Sequence, residues 1–406
     1  MENKESKAGS LDPSFGVNGE FTFQGVDHIF ALMVDRQDRI YAAGRTEDNR
    51  FYVDRLTSEG KVDTTFGDAG RVSGLFGDAS QSQALTINVD LKDRVLITGN
   101  QFRDDGAVCL ARFTPQGNPD TSFSLDGQVV MSLSIRPERS TATDSEPDSV
   151  GSSSNACRVL SDGKILFYGR AGHNYGPYLV RFTDTGQLDS SFNDIGYTKV
   201  SYKEEEISPR SLSIIQGERI IVSGHISGDA GYGMLAAYNQ NGKLEHSFAT
   251  QGYALFQGPD YLHAEVMDMQ QGPGSQLWVT GGTANGAVKE GFLTRLDKDG
   301  HVDTTFNHGN PVLSPPGFIF RWEAMAIQED GKIVLAGWDY DRRLGRLGRY
   351  YPGGPLDTDF GEGGLSTFPS EGSARQIALQ SNGRILAGGN VTRDGYRVPA
   401  ILRFLP

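Results

Sequence analysis

Cysteine is nearly absent, with two in 406 residues, Cys109 and Cys157. That excludes a small scaffold stapled by disulfides. Both lie in strand-like apolar runs, where each is expected to pack as a buried free thiol. Long apolar runs are missing too; none approaches the ~18 residues a membrane-spanning helix needs. The opening Met1-Glu-Asn-Lys-Glu-Ser-Lys7 has no apolar core, so no cleaved secretory leader is expected, which leaves the cytoplasm or a leaderless export route. Positive charge is short as well. With 38 Lys and Arg against 51 Asp and Glu, the net charge is −13, which argues against a nucleic-acid partner because phosphate binding needs a basic patch. There is no Gly-x-Ser-x-Gly elbow, phosphate loop or zinc-protease helix. No catalytic residue and no cofactor is assigned, although a site assembled from several loops would leave no local motif.

Glycine, by contrast, is abundant, with 52 residues, roughly twice the usual share. Much of it belongs to a nine-residue stretch that returns along the chain. Leu11-Asp-Pro-Ser-Phe-Gly-Val-Asn-Gly19 comes back as Val62-Asp-Thr-Thr-Phe-Gly-Asp-Ala-Gly70 and Leu356-Asp-Thr-Asp-Phe-Gly-Glu-Gly-Gly364. Shorter versions are Pro119 to Phe123, Leu188 to Phe192, Leu244 to Phe248 and Val302 to Phe306. Its phenylalanines, Phe15, Phe66, Phe123, Phe192, Phe248, Phe306 and Phe360, recur every 51 to 69 residues. A period of this size marks a repeat architecture.

Each unit holds the same landmarks. After the Asp-x-x-Phe turn come a short run such as Glu20 to Phe23 and an alternating run such as Ala84 to Val89. A tight polar turn such as Asp162-Gly163 follows, of the kind that supplies the positive φ angles of a hairpin. A third run ends on glycine, as in Arg39-Ile-Tyr-Ala-Ala-Gly44 and Lys332-Ile-Val-Leu-Ala-Gly337, and reads as a strand buried on both faces. A fourth, such as Tyr178-Leu-Val-Arg-Phe182, completes the unit. Four antiparallel strands in seven units describe an all-β, seven-bladed β-propeller. Whether Glu20 to Phe23 is the innermost strand of the first blade or the outer strand of the last stays open.

A charge pattern argues that the ring closes. Arg55, Arg112, Arg181, Arg295 and Arg349 each stand eight residues before Asp63, Asp120, Asp189, Asp303 and Asp357. In the one unit with Ala237 instead, the acid is also altered, to Glu245. Joint change suggests contact, a charge-assisted hydrogen bond beneath each turn. Asp12 lacks a preceding arginine and Arg403 lacks a following aspartate, so the two are expected to meet and bring the termini together. Residues 1–9 read as a disordered polar leader and 10–406 as one domain. The Ser-rich stretch 132–155 reads as a mobile insertion.

The Leu-Asp-x-x-Phe-Gly-x-x-Gly turn, the Asp-Gly-Lys-Ile-Leu strand and the Leu-x-Arg-Phe strand together resemble the bacterial delta-60 repeat family, in seven copies over about residues 10 to 406. Units five and six depart from it after the phenylalanine, at Ala249-Thr-Gln-Gly252 and Asn307-His-Gly-Asn310. The resemblance implies propeller-like repeats, a bacterial source and no assigned catalytic motif. Surface-associated members are often larger.

Candidate binding residues lie where units differ. Loops between the third and fourth runs carry His173, Asn174, Tyr175, Tyr232, Trp338, Asp339, Tyr340 and Tyr396. Aromatic faces beside polar groups suit sugar recognition, and Trp, Tyr and Arg equally suit a protein contact. A second candidate surface is the start of the second run, where Asn155, Arg210, Glu323 and Arg375 are equivalent, with Arg321 and Trp322 beside them. No metal is assigned: His301, Asp303 and His308 lack a third ligand, and Asp297-Lys-Asp-Gly300 lacks a full calcium ligand run. The expectation is a monomeric, non-catalytic binding module for a glycan or a protein. The alternatives are a propeller enzyme acting on a polysaccharide at the channel mouth and a purely structural repeat body.

Overall fold

The computed structural model describes residues 7–101, 107–133, 155–170, 176–203, 205–215, 219–227, 231–257, 263–285, 288–315 and 321–406. The Ser-rich stretch 134–154 and the candidates His173, Asn174 and Tyr175 lie outside them.

The described residues form an all-β molecule of antiparallel strands, with two short 3-10 turns at Pro273–Ser275 and Asn307–Gly309. Five sheets have four strands each, taken in chain order. The first runs Val26–Val34, Ile40–Thr46, Phe51–Leu56 and Arg71–Gly74. A sixth sheet has seven strands: Glu20–Thr22, Tyr396–Phe404, Ile385–Arg393, Leu365–Leu379, Leu344–Tyr350, Ile333–Asp339 and Arg321–Ile327. The 15-residue strand Leu365–Leu379 joins its two halves. Its beginning pairs with Leu344–Tyr350 and its end, from Gly372, with Ile385–Arg393. Glu20–Thr22 is an outer strand, pairing Glu20 with Leu402 and Thr22 with Ala400. The first strand of each sheet packs beside that of the next, and Leu365–Leu379 packs against Val26–Val34.

Burial follows the pattern of the runs. All six residues of Phe51–Leu56 and of Val108–Phe113 are buried, because the middle strands of a sheet stacked between two others have neighbours on both faces. The glycine ending each third run has a steric cause. A Cβ on Gly44 would sit 1.9 Å from the His28 carbonyl oxygen, and one on Gly281 1.8 Å from that of Glu265. Both carbonyls belong to first strands whose register shifts at that point, a β-bulge that bends the strand toward its neighbour.

The repeated turn is built by its own residues. Asp63 accepts the Thr65 backbone N–H at 3.1 Å and the Thr65 hydroxyl at 2.6 Å, closing an Asx turn. Gly70 ends it at φ 99°, open to glycine without Cβ strain. Its arginine spans two turns. Arg55 Nε donates to Asp63 at 2.8 Å, its guanidinium lies 4.6 Å from the Phe66 ring centroid, and Nη1 donates to the Pro115 carbonyl of the following turn at 2.6 Å. Arg112 repeats this with Asp120, Phe123 and the Asp184 carbonyl. Arg181 does so with Asp189, Phe192 and the Gln240 carbonyl, and Arg295 with Asp303, Phe306 and the Pro352 carbonyl. Arg349 pairs with Asp357 at 2.8 Å over Phe360. All seven repeat phenylalanines are buried.

The chain ends use the same device. Arg403, 1% exposed, forms an ion pair with Asp12 at 3.0 Å, lies over Phe15 and donates to the Ser58 carbonyl at 2.7 Å. Ala8 and Gly9, the end of the expected leader, are held to the body: Gly9 N donates to Leu405 O at 2.9 Å, and Ala8 O accepts from Gly361 N at 2.8 Å. The unit with Ala237 keeps its ion pair by another route. Arg219, at the head of the adjoining strand, donates to Glu245 at 2.6 and 3.2 Å and reaches the Lys298 carbonyl. Elsewhere that position already holds a second cation near the turn acid, as with Lys164 and Asp189 at 3.2 Å or Arg384 and Asp12 at 2.6 Å. The longer glutamate brings the carboxylate to the remaining cation.

Candidate functional site

The two candidate surfaces are one. In an antiparallel hairpin the first strand begins where the second ends, so Arg321 pairs with Trp338 and Ile207 with Ile226. The loops after the second strands and the starts of the first strands therefore share a face, opposite the Asp-x-x-Phe turns. Arg210, Glu323 and Arg375 are equivalent because each sits where its first strand bulges, between Pro209 and Leu212, Trp322 and Ala324, and Ala374 and Gln376. Leu85 occupies the matching bulge of the second sheet. A bulge re-aims a side chain; here it does so for charged residues on three strands.

One part of this face neutralises itself. Arg321 donates to Glu265 at 2.6 Å and to Glu323 at 2.8 Å, and Arg210 lies 3.8 Å from Glu265. Burial pulls the Arg210 guanidinium below its usual pKa, and the charge of Arg321 adds to this. Burial opposes ionisation of Glu265, but Arg321 and Arg210 overcome it and hold the carboxyl below its ordinary range. His225, with Nδ1 3.3 Å from the Ala264 carbonyl, is shifted down by burial and is neutral at pH 7. Glu265 and His225 escaped the sequence reading because neither occupies a bulge position.

The other part is a small, partly enclosed pocket lined by Trp338, Arg343, Glu371, Gly372, Ser373, Arg375, Asn390, Thr392 and Arg397. It joins Trp338 and Arg375, candidates from the two different surfaces. Asn390 Nδ2 donates to Ser373 Oγ at 3.0 Å. The Trp338 ring lies against Tyr340, centroids 3.8 Å apart and 36° between planes. Tyr340 is 42% and Tyr396 76% exposed, and Tyr232 is half-buried. Arg343 and Arg397 carried no sequence signal, since they reach the pocket from separate hairpins.

Two candidates are corrected. Trp322 is fully buried. It fills a slot cut by glycines: a Cβ on Gly291 would stand 2.5 Å from its ring, one on Gly348 2.7 Å and one on Gly337 2.9 Å. Asp339 is buried and ion-paired with Arg342 at 3.0 Å and Arg346 at 3.5 Å, so its carboxylate is committed to the fold. Asp303 is held by Arg295 and Thr305 within its turn. Among the described residues no three His, Cys, Asp or Glu side chains converge as a metal site. Cys109 and Cys157 are buried free thiols, and burial pushes Cys157 up to about 12. No helix among the described residues is long and apolar enough to cross a membrane.

A family model described as a domain of unknown function (DUF5122) β-propeller matches residues 160–192 and 380–406. No curated protein matches by sequence. Among solved structures, Drosophila Semaphorin 2a superposes with a TM-score of 0.55 at 9% identity, over 99% of this chain and 77% of that one. A polysaccharide lyase of family PL25, an ulvan lyase, does so at 0.52 and 14% identity over 95% of both chains. Polysaccharide lyase Uly1 gives 0.51 at 9% identity, over 99% of this chain and 94% of its own. At such identities the likeness is one of fold. The chain carries a propeller-type β repeat.

Proposed function

We propose that residues 10–406 form one closed ring of seven blades, working as a monomeric, non-catalytic module that binds a glycan on the face of the second-strand loops. Closure is supported by the pairing of Glu20–Thr22 with Tyr396–Phe404 and by the reach of Arg403 to Asp12 and Ser58. Counting the long strand Leu365–Leu379 once in each half of its sheet, and giving Glu20–Thr22 to the last blade, makes seven blades of four strands. The observation that carries the function is the pocket in which Trp338, packed against the exposed Tyr340, stands beside arginine, asparagine and serine side chains. Apolar ring faces for stacking and polar groups for hydroxyls are the two requirements of sugar recognition. A glycan array probed with purified protein, with and without calcium, tests this. Specific binding lost in Trp338→Ala is expected; binding to no glycan would overturn the reading and turn attention to a protein ligand.

A second reading, an enzyme acting on a polysaccharide, draws on one observation. Neutral His225 and the Arg210–Glu265–Arg321 group lie on the same face, and two lyases share the fold. Product analysis on any glycan that binds separates the two readings. New chain ends that disappear in His225→Ala favour the enzyme, and saturable binding without product favours the module.

A further inference from the structure

We infer that the Trp338 pocket takes an anionic sugar, one bearing a sulfate ester or a carboxylate; this rests on the glycan-binding reading above. The argument is one of unbalanced charge. In a chain of net charge −13, most arginines elsewhere are matched by acids, as the turn girdle and the Arg321 group show. Arg343, Arg375 and Arg397 line one pocket with a single acidic residue, Glu371. Among the described residues none of the three makes a side-chain hydrogen bond or ion pair. Arg393, four residues before Arg397, is by contrast paired with Glu20 at 2.5 Å.

Three unpaired guanidinium groups beside a single carboxylate leave the pocket lining with a net positive charge, which an anion would balance. The planar fork of arginine fits the two oxygens of a carboxylate or sulfate. The Trp338–Tyr340 pair adds aromatic surface beside the charges, which suits an occupant with an apolar ring face as well as a charge. An anionic pyranose meets both conditions, whereas inorganic sulfate meets only one. A Cβ on Gly372 would lie 2.0 Å from the Asn390 carbonyl oxygen, so the paired strands Leu365–Leu379 and Ile385–Arg393 are in close contact at the pocket wall.

Binding of oligosaccharides from chondroitin sulfate, hyaluronan and neutral dextran to the full chain, by calorimetry at two salt concentrations, tests this. Chondroitin sulfate carries both anions and hyaluronan only the carboxylate, so the pair distinguishes the two sources of charge. The expectation is binding to at least one of these two and none to dextran, weakening as salt rises. Arg375→Glu and Arg397→Glu should each lower affinity about tenfold or more. Lys61→Glu, on the opposite face, should leave it unchanged. Both arginines are exposed, and an unchanged melting temperature confirms that each variant folds. Equal binding of dextran, lost in Trp338→Ala, would overturn the anionic inference and leave glycan binding standing. Anionic binding insensitive to both arginine variants would overturn this pocket as the site. Absence of binding to all three, with a neutral glycan captured on the array, overturns the anionic inference alone; absence on the array as well removes both.

Discussion

The two faces of the molecule treat arginine in opposite ways. On the turn face each repeat arginine is buried or, at Arg295, largely so, paired with an aspartate, stacked on a phenylalanine and, in most units, bonded to the next turn. On the loop face Arg343, Arg375 and Arg397 stand exposed around one pocket without acid partners. The first arrangement recurs wherever sheets must be joined, so it is a demand of the fold. The second occurs once. A residue type required by every repeat tells about architecture; a local surplus of it tells about a ligand.

The largest effect is expected at the chain junction. Arg403→Ala strips one of two cations from Asp12, Arg384 remaining at 2.6 Å, and a hydrogen bond from Ser58; with the loss of a buried side chain the cost should be about 2–4 kcal/mol. Thermal melting should show a large drop. A melting temperature equal to wild type would mean that the ends do not hold the ring.

The substituted unit gives a smaller and sharper test. Arg219→Ala leaves Glu245 without its cation, and because both side chains are partly exposed the loss should be about 1–2 kcal/mol. Alanine at Gln276, the same strand position in the fifth unit, should cost less, since Asp303 keeps Arg295. Equal costs in a urea melt would reject the idea that Arg219 has taken over the repeat ion pair.

Acid should weaken the turn face specifically. Burial works against ionisation of Asp189, but hydrogen bonds from Ser191 and Lys164 and the charge of Arg181 bring it down to about 2. Asp12, Asp63, Asp120, Asp303 and Asp357 are lowered for similar reasons. A depressed folded-state pKa stabilises above the unfolded value of about 3.9 and loses that contribution as pH falls through the folded one. The urea midpoint should hold down to about pH 4 and then fall steeply toward pH 2; a flat profile across that window would show that the girdle carries little stability.

The smallest effect belongs to the loop face. Tyr396→Ala, at 76% exposure, should change stability by no more than about 0.5 kcal/mol. A larger loss would mean that this hairpin packs on something in solution.

The repeat turn was legible because its parts are local. Asp63 and Thr65 are two residues apart, and Arg55 faces them across one strand ladder, so a spacing of eight reported a real contact. Ala237 and Glu245 were readable as a linked change, but the substitute cation was not, since Arg219 comes from the neighbouring strand. Trp322 was misread for a definable reason. The bulge between Trp322 and Ala324 breaks the two-residue alternation, so counting from the tight turn assigns the indole to the wrong side. Asp339 failed similarly, because the sequence does not show that Arg342 and Arg346 close over it.

What the sequence by itself determined is the unit: strand, polar turn, glycine-ended strand, and an Arg–Asp–Phe turn repeated with enough regularity to call for stacked sheets. These features depend on hydrogen bonds and side-chain alternation within a few residues, and a linear string records them. Only the tertiary structure decided that two candidate surfaces are one face, that Arg343, Arg375 and Arg397 converge, and that Trp322 fills a slot cut by three glycines. Those outcomes depend on bulges and on the stacking of one sheet against the next, which bring together residues that no spacing along the chain relates.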